Sequence, residues 1–451
     1  MIQIRNRIRR NRTSGSPSKG NILAVKKHLL YSSLALSLVG ISCQSAFAEV
    51  LDRPTGIKIG ERMTLRPYVS LSLTYDSNPR SRNGSTFENG DCLWTIAPSL
   101  SLAYNAENWS LLASGYYNWR QYFKSEYQEY NSHNFGEDIR WNWADSSGME
   151  KGWSLILGQS YKQITMADDM VLADGSNYSS DSRQFQFSGA IQRRFNEKVH
   201  ADLNGSYYWL DYLNDKKSTG AYYGWDRWTA GAEVGYTASK WTDIILSGAY
   251  QGYQQDNADR PSIGSGYEGY NIGDTSVGYT FQGGIGSLLT DRISYRLLAG
   301  WSRFEYGDKA DAANGFVYTA TGNWKIGETW NTMILASSYY QPSERQYATK
   351  TRVDAISWGL AKMMIRGKLR ATLDLRYRRE THEYTIDTAS DNDYILNIIT
   401  GRIGANYTLN RFLSFFAYLE YQRSMNDHSD ERNNAYDYDR FRASIGAALS
   451  Y

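Results

Sequence analysis

Arginines at every second position are the side chains of this sequence best placed to do chemistry. Arg370, Arg376 and Arg378 all fall at even positions of one run, with Asp374 between them. Arg440 and Arg442 repeat the spacing near the end of the chain. Arg120, Asp138, Arg140, Asp202, Glu233 and Arg296 occupy comparable places elsewhere. In an extended chain, residues two apart project from one face, so these groups would stand in short ladders. Bordering a water-filled passage, a ladder of guanidinium groups favours anions. Facing carboxylates on neighbouring strands, the same groups would form ion pairs and simply fill space. Tyr116, Tyr208 and Tyr418 lie on the same wet faces. Their rings could stack on sugars, although tyrosine is also an ordinary strand residue.

Other chemistries have weaker footing. Nucleophilic catalysis needs a histidine beside a hydroxyl, oriented by a third group. Of His133, His200, His382 and His428, only His200 and His382 fall within or at the end of extended runs, and neither has a recognisable serine context. No catalytic residue is expected. Asp168-Asp169, Asp391 with Asp393, Asp427, Asp430 and Glu431, and Asp437 with Asp439 offer hard oxygen ligands of the kind Ca²⁺ takes. Their spacing matches no known calcium loop. They read as solvated loop faces, and neither a metal nor a cofactor is expected.

The elements that must position these groups are strands. Phe441, Ala443, Ile445, Ala447, Leu449 and Tyr451 alternate with Arg440, Arg442, Ser444, Gly446 and Ser450. Leu369, Ala371, Leu373, Leu375 and Tyr377 alternate in the same way with Arg370, Thr372, Asp374, Arg376 and Arg378. Val199, Ala201, Leu203, Tyr207 and Trp209 alternate with His200, Asp202, Asn204, Ser206 and Tyr208. A period of two gives each strand one apolar and one wet face. Short turns such as 105–108, 195–198, 239–241, 327–329, 366–368 and 409–411 recur about every forty to fifty residues. Polar loops such as 76–91, 165–181, 254–270, 307–314 and 425–437 lie between them. Alternating short and long connections are the pattern of an outer-membrane barrel, with turns in the periplasm and loops outside.

Counting gives eighteen segments, from 65–75 to 438–451, or sixteen if one hairpin is misread. The runs 271–284, 291–306 and 391–408 are the least cleanly patterned. The expectation is an all-β fold, a closed antiparallel transmembrane β-barrel over 65–451, with both ends on the turn side. No stretch reaches the eighteen or so apolar residues of a spanning helix, and mean hydropathy is −0.57. Only a closed barrel could then satisfy the backbone within lipid. Charge on the lipid face would cost roughly 2–4 kcal/mol for each midplane arginine, so the wet faces belong inside. Trp109, Tyr117, Trp153, Tyr161, Tyr207, Trp209, Trp301 and Trp324 fit the aromatic girdles of the two membrane interfaces.

The first 48 residues read as a secretory signal. Eight basic and no acidic residues surround the short apolar core Leu29–Ile41, and Ala46 and Ala48 supply small residues for cleavage before Glu49. Cys43 follows a poor lipobox. Without residues 1–48 the chain keeps 41 Lys and Arg against 47 Asp and Glu, a net charge of −6. That removes the main electrostatic argument for nucleic acid. Residues 49–64 form a short periplasmic segment, too brief for a plug domain. Cys92 is the one cysteine left, which excludes an internal disulfide or a cysteine-based metal site.

Two further features carry a resemblance. The last strand ends on Tyr451, and with Phe441 it is the candidate signal for the barrel-assembly machinery. The first strand exits through Leu73-Thr74-Tyr75-Asp76-Ser77-Asn78. That exit resembles the first hairpin of the porin-like outer-membrane β-barrel family, some of whose members accompany exopolysaccharide and exosortase systems. The resemblance implies a passive or export channel and no catalytic residues. The expected function is therefore a porin-like channel in the bacterial outer membrane, for small hydrophilic or anionic solutes or for an anionic polysaccharide. The alternative is a structural barrel whose loops engage a partner or surface glycan. The expected surroundings are outer-membrane lipid and lipopolysaccharide. The sequence leaves the oligomeric state open.

Overall fold

The computed structural model describes residues 56–79, 90–145, 152–166, 180–212, 225–239, 241–255, 275–290, 292–306, 312–342, 350–383, 394–427 and 437–451. A three-residue strand, β1 (Ile57–Ile59), pairs with the foot of β2 (Met63–Asp76). There follow β3 (Asp91–Asn105), β4 (Trp109–Tyr122), β5 (Ser132–Ala144), β6 (Gly152–Met166), β7 (Ser180–Arg194) and β8 (Val199–Tyr212). Next come β9 (Trp225–Ser239), β10 (Thr242–Gln255), β11 (Thr275–Thr290), β12 (Ile293–Glu305), β13 (Ala313–Ile326) and β14 (Trp330–Pro342). The series ends with β15 (Lys350–Met364), β16 (Leu369–Glu383), β17 (Tyr394–Thr408), β18 (Leu413–Asn426) and β19 (Tyr438–Ser450).

Strands β2 to β19 each pair antiparallel with the next, and β19 returns to pair with β2, so eighteen strands close into a barrel. Closure removes both sheet edges. The described helical structure is one 3-10 turn, Ser125–Tyr130, between β4 and β5. Gly327 and Gly367 turn two of the short connections at φ +64 and +85, where a side chain would be strained.

The expected segment boundaries agree with the strands to within a few residues, with one correction. The run 271–284 is displaced, because β11 spans Thr275–Thr290. It is one of the least cleanly patterned runs, and Gly283, Gly284 and Gly286 lie inside the strand. The signal segment 1–48, and the acidic groups at 168–169, 391–393 and 430–431, lie outside the described residues.

The outer face is apolar. Leu71, Leu203, Leu246, Phe281, Trp301, Phe316, Ile403, Leu419 and Ile445 are each more than half exposed. Such a surface is stable only against lipid. Of the aromatics expected at its borders, Trp109, Tyr117, Trp153, Tyr207, Trp301 and Trp324 are exposed. Near the turn end Lys362 lies 4.4 Å from the Trp330 ring, and Arg193 lies 4.5 Å from that of Trp153. The inner face mixes polar groups with buried Ile245, Leu298, Val317, Val353 and Leu396.

Candidate functional site

Directly opposed residues of an antiparallel pair share a face, so the register assigns each charged side chain a side of the wall. Arg120 opposes Thr95 and Ser132, Asp138 opposes Ser114 and Ser160, and Arg140 opposes Leu112 and Gly158. Asp202 opposes Gln192 and Glu233. Arg296 opposes Gly286 and Thr321. On β16, Arg370, Asp374, Arg376 and Arg378 oppose Asn406, Arg402, Thr400 and Ile398 of β17. Arg440 and Arg442 oppose Gln422 and Glu420 of β18. Every one of these residues lies opposite the exposed apolar face, on the inside. They do not form one continuous ladder. Half of them are gathered into three charged nodes.

The first node is at the seam where β19 meets β2. Asp76 is 1 % exposed. Arg440 Nε donates to its two oxygens at 2.9 and 3.1 Å, and Arg440 Nη2 donates as well. Arg442 Nε adds a fourth bond at 3.2 Å, while its Nη1 reaches Glu420 at 3.3 Å. The neighbouring residues extend the clasp. The Ser77 backbone N–H donates to the Phe441 carbonyl at 2.9 Å, and the Phe441 N–H donates back to Ser77 Oγ at 2.8 Å. Asn78 Nδ2 donates to the Asp439 carbonyl at 3.0 Å. The Asp-Ser-Asn exit of the first strand is therefore the fastening of the last strand to the first.

The second node lies near the short-turn end. Glu233 and Arg296 are both almost fully buried, and Arg296 reaches from β12 past β11 and β10 to β9. Its Nη1 donates to Glu233 Oε1 at 2.9 Å, and Nη2 donates to Oε2.

The third node is near the long-loop end of β15 and β16. Arg378 Nε donates to Glu380 Oε1 at 2.6 Å. His382 Nε2 lies 3.0 Å from Glu380 Oε2, and its Nδ1 lies 3.1 Å from Thr351 Oγ1. Hydroxyl, imidazole and carboxylate stand in the order of a nucleophilic relay. Thr351 is 1 % exposed and His382 2 %, so the chain acts as a brace within the wall.

Between the third node and the turn end, β16 and β17 hold a basic strip. Arg376 and Arg402 flank Asp374, and the Arg402 guanidinium lies 3.9 Å over the Tyr418 ring. Arg378 keeps 45 % of its side-chain exposure despite its pairing, whereas Arg370 is buried. The three tyrosines considered for sugar stacking are not brought together. Tyr116, Tyr208 and Tyr418 lie on β4, β8 and β18, which are not neighbours, so no single track exists.

Sequence reasoning missed Asp76, Glu380, Glu420 and Arg402 as members of these groups, and gave His382 no partner. Asp76 lay within the quoted exit motif. The others sit on the wet faces of alternating runs, but only the register reveals which charge meets which.

A family model described as "Putative beta-barrel porin 2" matches residues 53–448. The chain belongs to that family. Its apolar girdle, closed wall and polar interior make this porin-family member a barrel of the bacterial outer membrane. No curated protein matches the sequence. Among solved structures, this barrel is similar to the siderophore receptor PirA from Pseudomonas aeruginosa, at 8 % identity and TM-score 0.40 over 88 % of this chain and 81 % of that one. It is also similar to the FrpB iron transporter from Neisseria meningitidis, at 11 % identity and TM-score 0.43 over 87 % and 82 %. The copper transporter OprC aligns at 11 % identity and TM-score 0.39 over 83 % and 63 %. Likenesses this distant carry no argument about what the porin-family barrel passes.

Proposed function

We propose that the protein is a passive channel for small hydrophilic solutes with a bias toward anions, on a scale that extends to an anionic polysaccharide strand. The observation that carries this reading is the strip formed by Arg376, Arg378 and Arg402 on the inner faces of β16 and β17. At the seam and the second node, arginines are spent on buried carboxylates. Here three guanidinium groups are set against Asp374 and Glu380, and Arg378 remains substantially exposed. Charges on a pore wall act over a screening length of about 8 Å at physiological ionic strength. Their local field can therefore bias permeation even though the exported chain is acidic overall. Under the same reading, residues 1–48 are removed after Ala48. The outer wall meets lipid and lipopolysaccharide, and assembly machinery reads the strand carrying Phe441 and Tyr451.

The test is the reversal potential of the purified barrel in a planar bilayer under a salt gradient. Replacing Arg376, Arg378 and Arg402 together by Gln should shift it toward cations, and the shift should shrink as salt is raised. A barrel that conducts with unchanged selectivity places the filter elsewhere. A correctly folded barrel with no conductance favours a binding role for the loops.

A further inference from the structure

The second node holds more than one ion pair. His200 and Asp202 lie two residues apart on β8 and so share its inner face. Across the ladder, Asp202 is opposed by Glu233 and His200 by Gly235. A Cβ at position 235 would fall 2.1 Å from His200 Cε1 and 2.2 Å from Nε2. The absence of a side chain there is what lets the imidazole lie across β9. One ring nitrogen of His200 and one carboxylate oxygen each from Asp202 and Glu233 then lie within 4.8 Å of one another.

The charge balance of this group is incomplete. Carboxylates placed directly opposite each other across an antiparallel pair repel. Both guanidinium nitrogens of Arg296 that reach the node donate to Glu233, so Arg296 meets Asp202 through its charge alone. Asp202 has no hydrogen bond or salt bridge among the described residues. Arg194, opposite His200 on β7, donates to the carbonyls of Asn196 and Glu197 in the adjoining turn. Two acids therefore share one guanidinium, and the third member of the group is an imidazole.

We propose that His200, Asp202 and Glu233 form a binding site for a divalent transition-metal ion, with Zn²⁺ the best match. Imidazole suits zinc, copper, iron and nickel, and carboxylates alone would suit magnesium or calcium. One imidazole with two carboxylates is a three-ligand set that leaves a coordination position to water. Each Glu233 oxygen has a second lone pair, so Arg296 can stay in place as an outer hydrogen-bond donor that orients the ligand. The ion would add a second positive charge for the two acids to share and would tie β8 to β9 near the short-turn mouth. This site does not depend on the anion-channel reading, because the residues lie on the opposite side of the barrel from the β16–β17 strip.

The test uses the exported chain folded in detergent, stripped with a chelator and then equilibrated with Zn²⁺. We expect one tightly held Zn²⁺ per chain, with Ca²⁺ and Mg²⁺ failing to compete. Asp202→Asn and His200→Gln should each weaken zinc binding at least tenfold. Zinc should also raise the temperature at which the folded electrophoretic form is lost in the parent but not in these variants. X-ray absorption of the zinc-loaded parent should show a nitrogen and oxygen shell with a single imidazole. That measurement decides the matter even if a variant does not fold. A folded parent that retains no zinc overturns the proposal, as does a shell without imidazole or binding unchanged in both variants.

Discussion

The seam and the second node are both charged clusters on the inner wall, and they are built on opposite plans. At the seam two arginines meet two carboxylates, and Asp76 accepts four bonds from them. At the second node one arginine meets two carboxylates and hydrogen-bonds only one of them. The seam is saturated, so its role is cohesion. The second node is left short of one positive charge, which is the condition of a site that takes something in. The contrast teaches that burial of charge alone does not separate brace from binding site. The count of donors against acceptors does.

The largest effect is expected at the seam. Asp76→Ala strands Arg440 in a buried position, and breaking such a pair typically costs about 3–5 kcal/mol. Urea titration of the folded barrel should register that loss. Replacing Asp76 by Leu and Arg440 by Met together should recover most of it. If Asp76→Ala unfolds no more easily than the parent, the seam is not the brace described here.

Assembly comes next. Replacing Phe441 and Tyr451 by Asp removes apolar groups from the strand that closes the barrel, where the Tyr451 ring packs 5.4 Å from Phe412. The fraction of protein reaching the membrane in a heat-modifiable form should fall sharply. A change of similar charge between residues 80 and 89 should leave it near the parent level. Equal insertion of both would remove the case for these residues as an assembly signal.

The second node should respond with the opposite sign. In chelator-treated protein, Asp202→Asn relieves the repulsion from Glu233 and should stabilise by some tenths of a kcal/mol, up to about 1. Destabilisation of the metal-free barrel by this variant would show that Asp202 already has its cation. The smallest effect belongs to the outer face near the long loops. There Arg423 lies 3.8 Å from Asp439, with both side chains more than half exposed. Arg423→Gln should change stability by less than about 1 kcal/mol, and a larger change would mean that this rim pair is more than a solvated contact.

Much of the wall was legible before its coordinates. Alternation in β8, β16 and β19 assigns each side chain a face with no knowledge of neighbours, because strand geometry alone sets the period. The displaced start of β11 shows where that logic fails. Alternation is weak in that run, where Gly278, Gly283, Gly284 and Gly286 carry no side chain to mark a face, so neither end of the strand is sharp in the sequence. The nodes were less legible for a different reason. Arg440 and Asp76 are 364 positions apart, and Glu233 and Arg296 are separated by two whole strands. Pairings of that kind depend on register and on reach across the interior, which a single strand does not encode. His382 illustrates both sides. Its place at a strand end was readable, while Thr351 came beside it only through the β15–β16 ladder.

The seam ladder is also short. It runs through nine opposed pairs, from Arg442 and Asp76 to Ser450 and Tyr68, against fifteen between β15 and β16. Contacts joining the two ends of a chain carry the greatest loop-closure entropy and tend to form last. Until β19 arrives, the Asp76 carboxylate must remain hydrated or face a low-polarity surrounding without its arginines. Pairing of β19 with β2 thus supplies in one step the counter-charge that Asp76 has in the closed wall. The fastening at Asp76 therefore ties the stability of β2 to the arrival of β19.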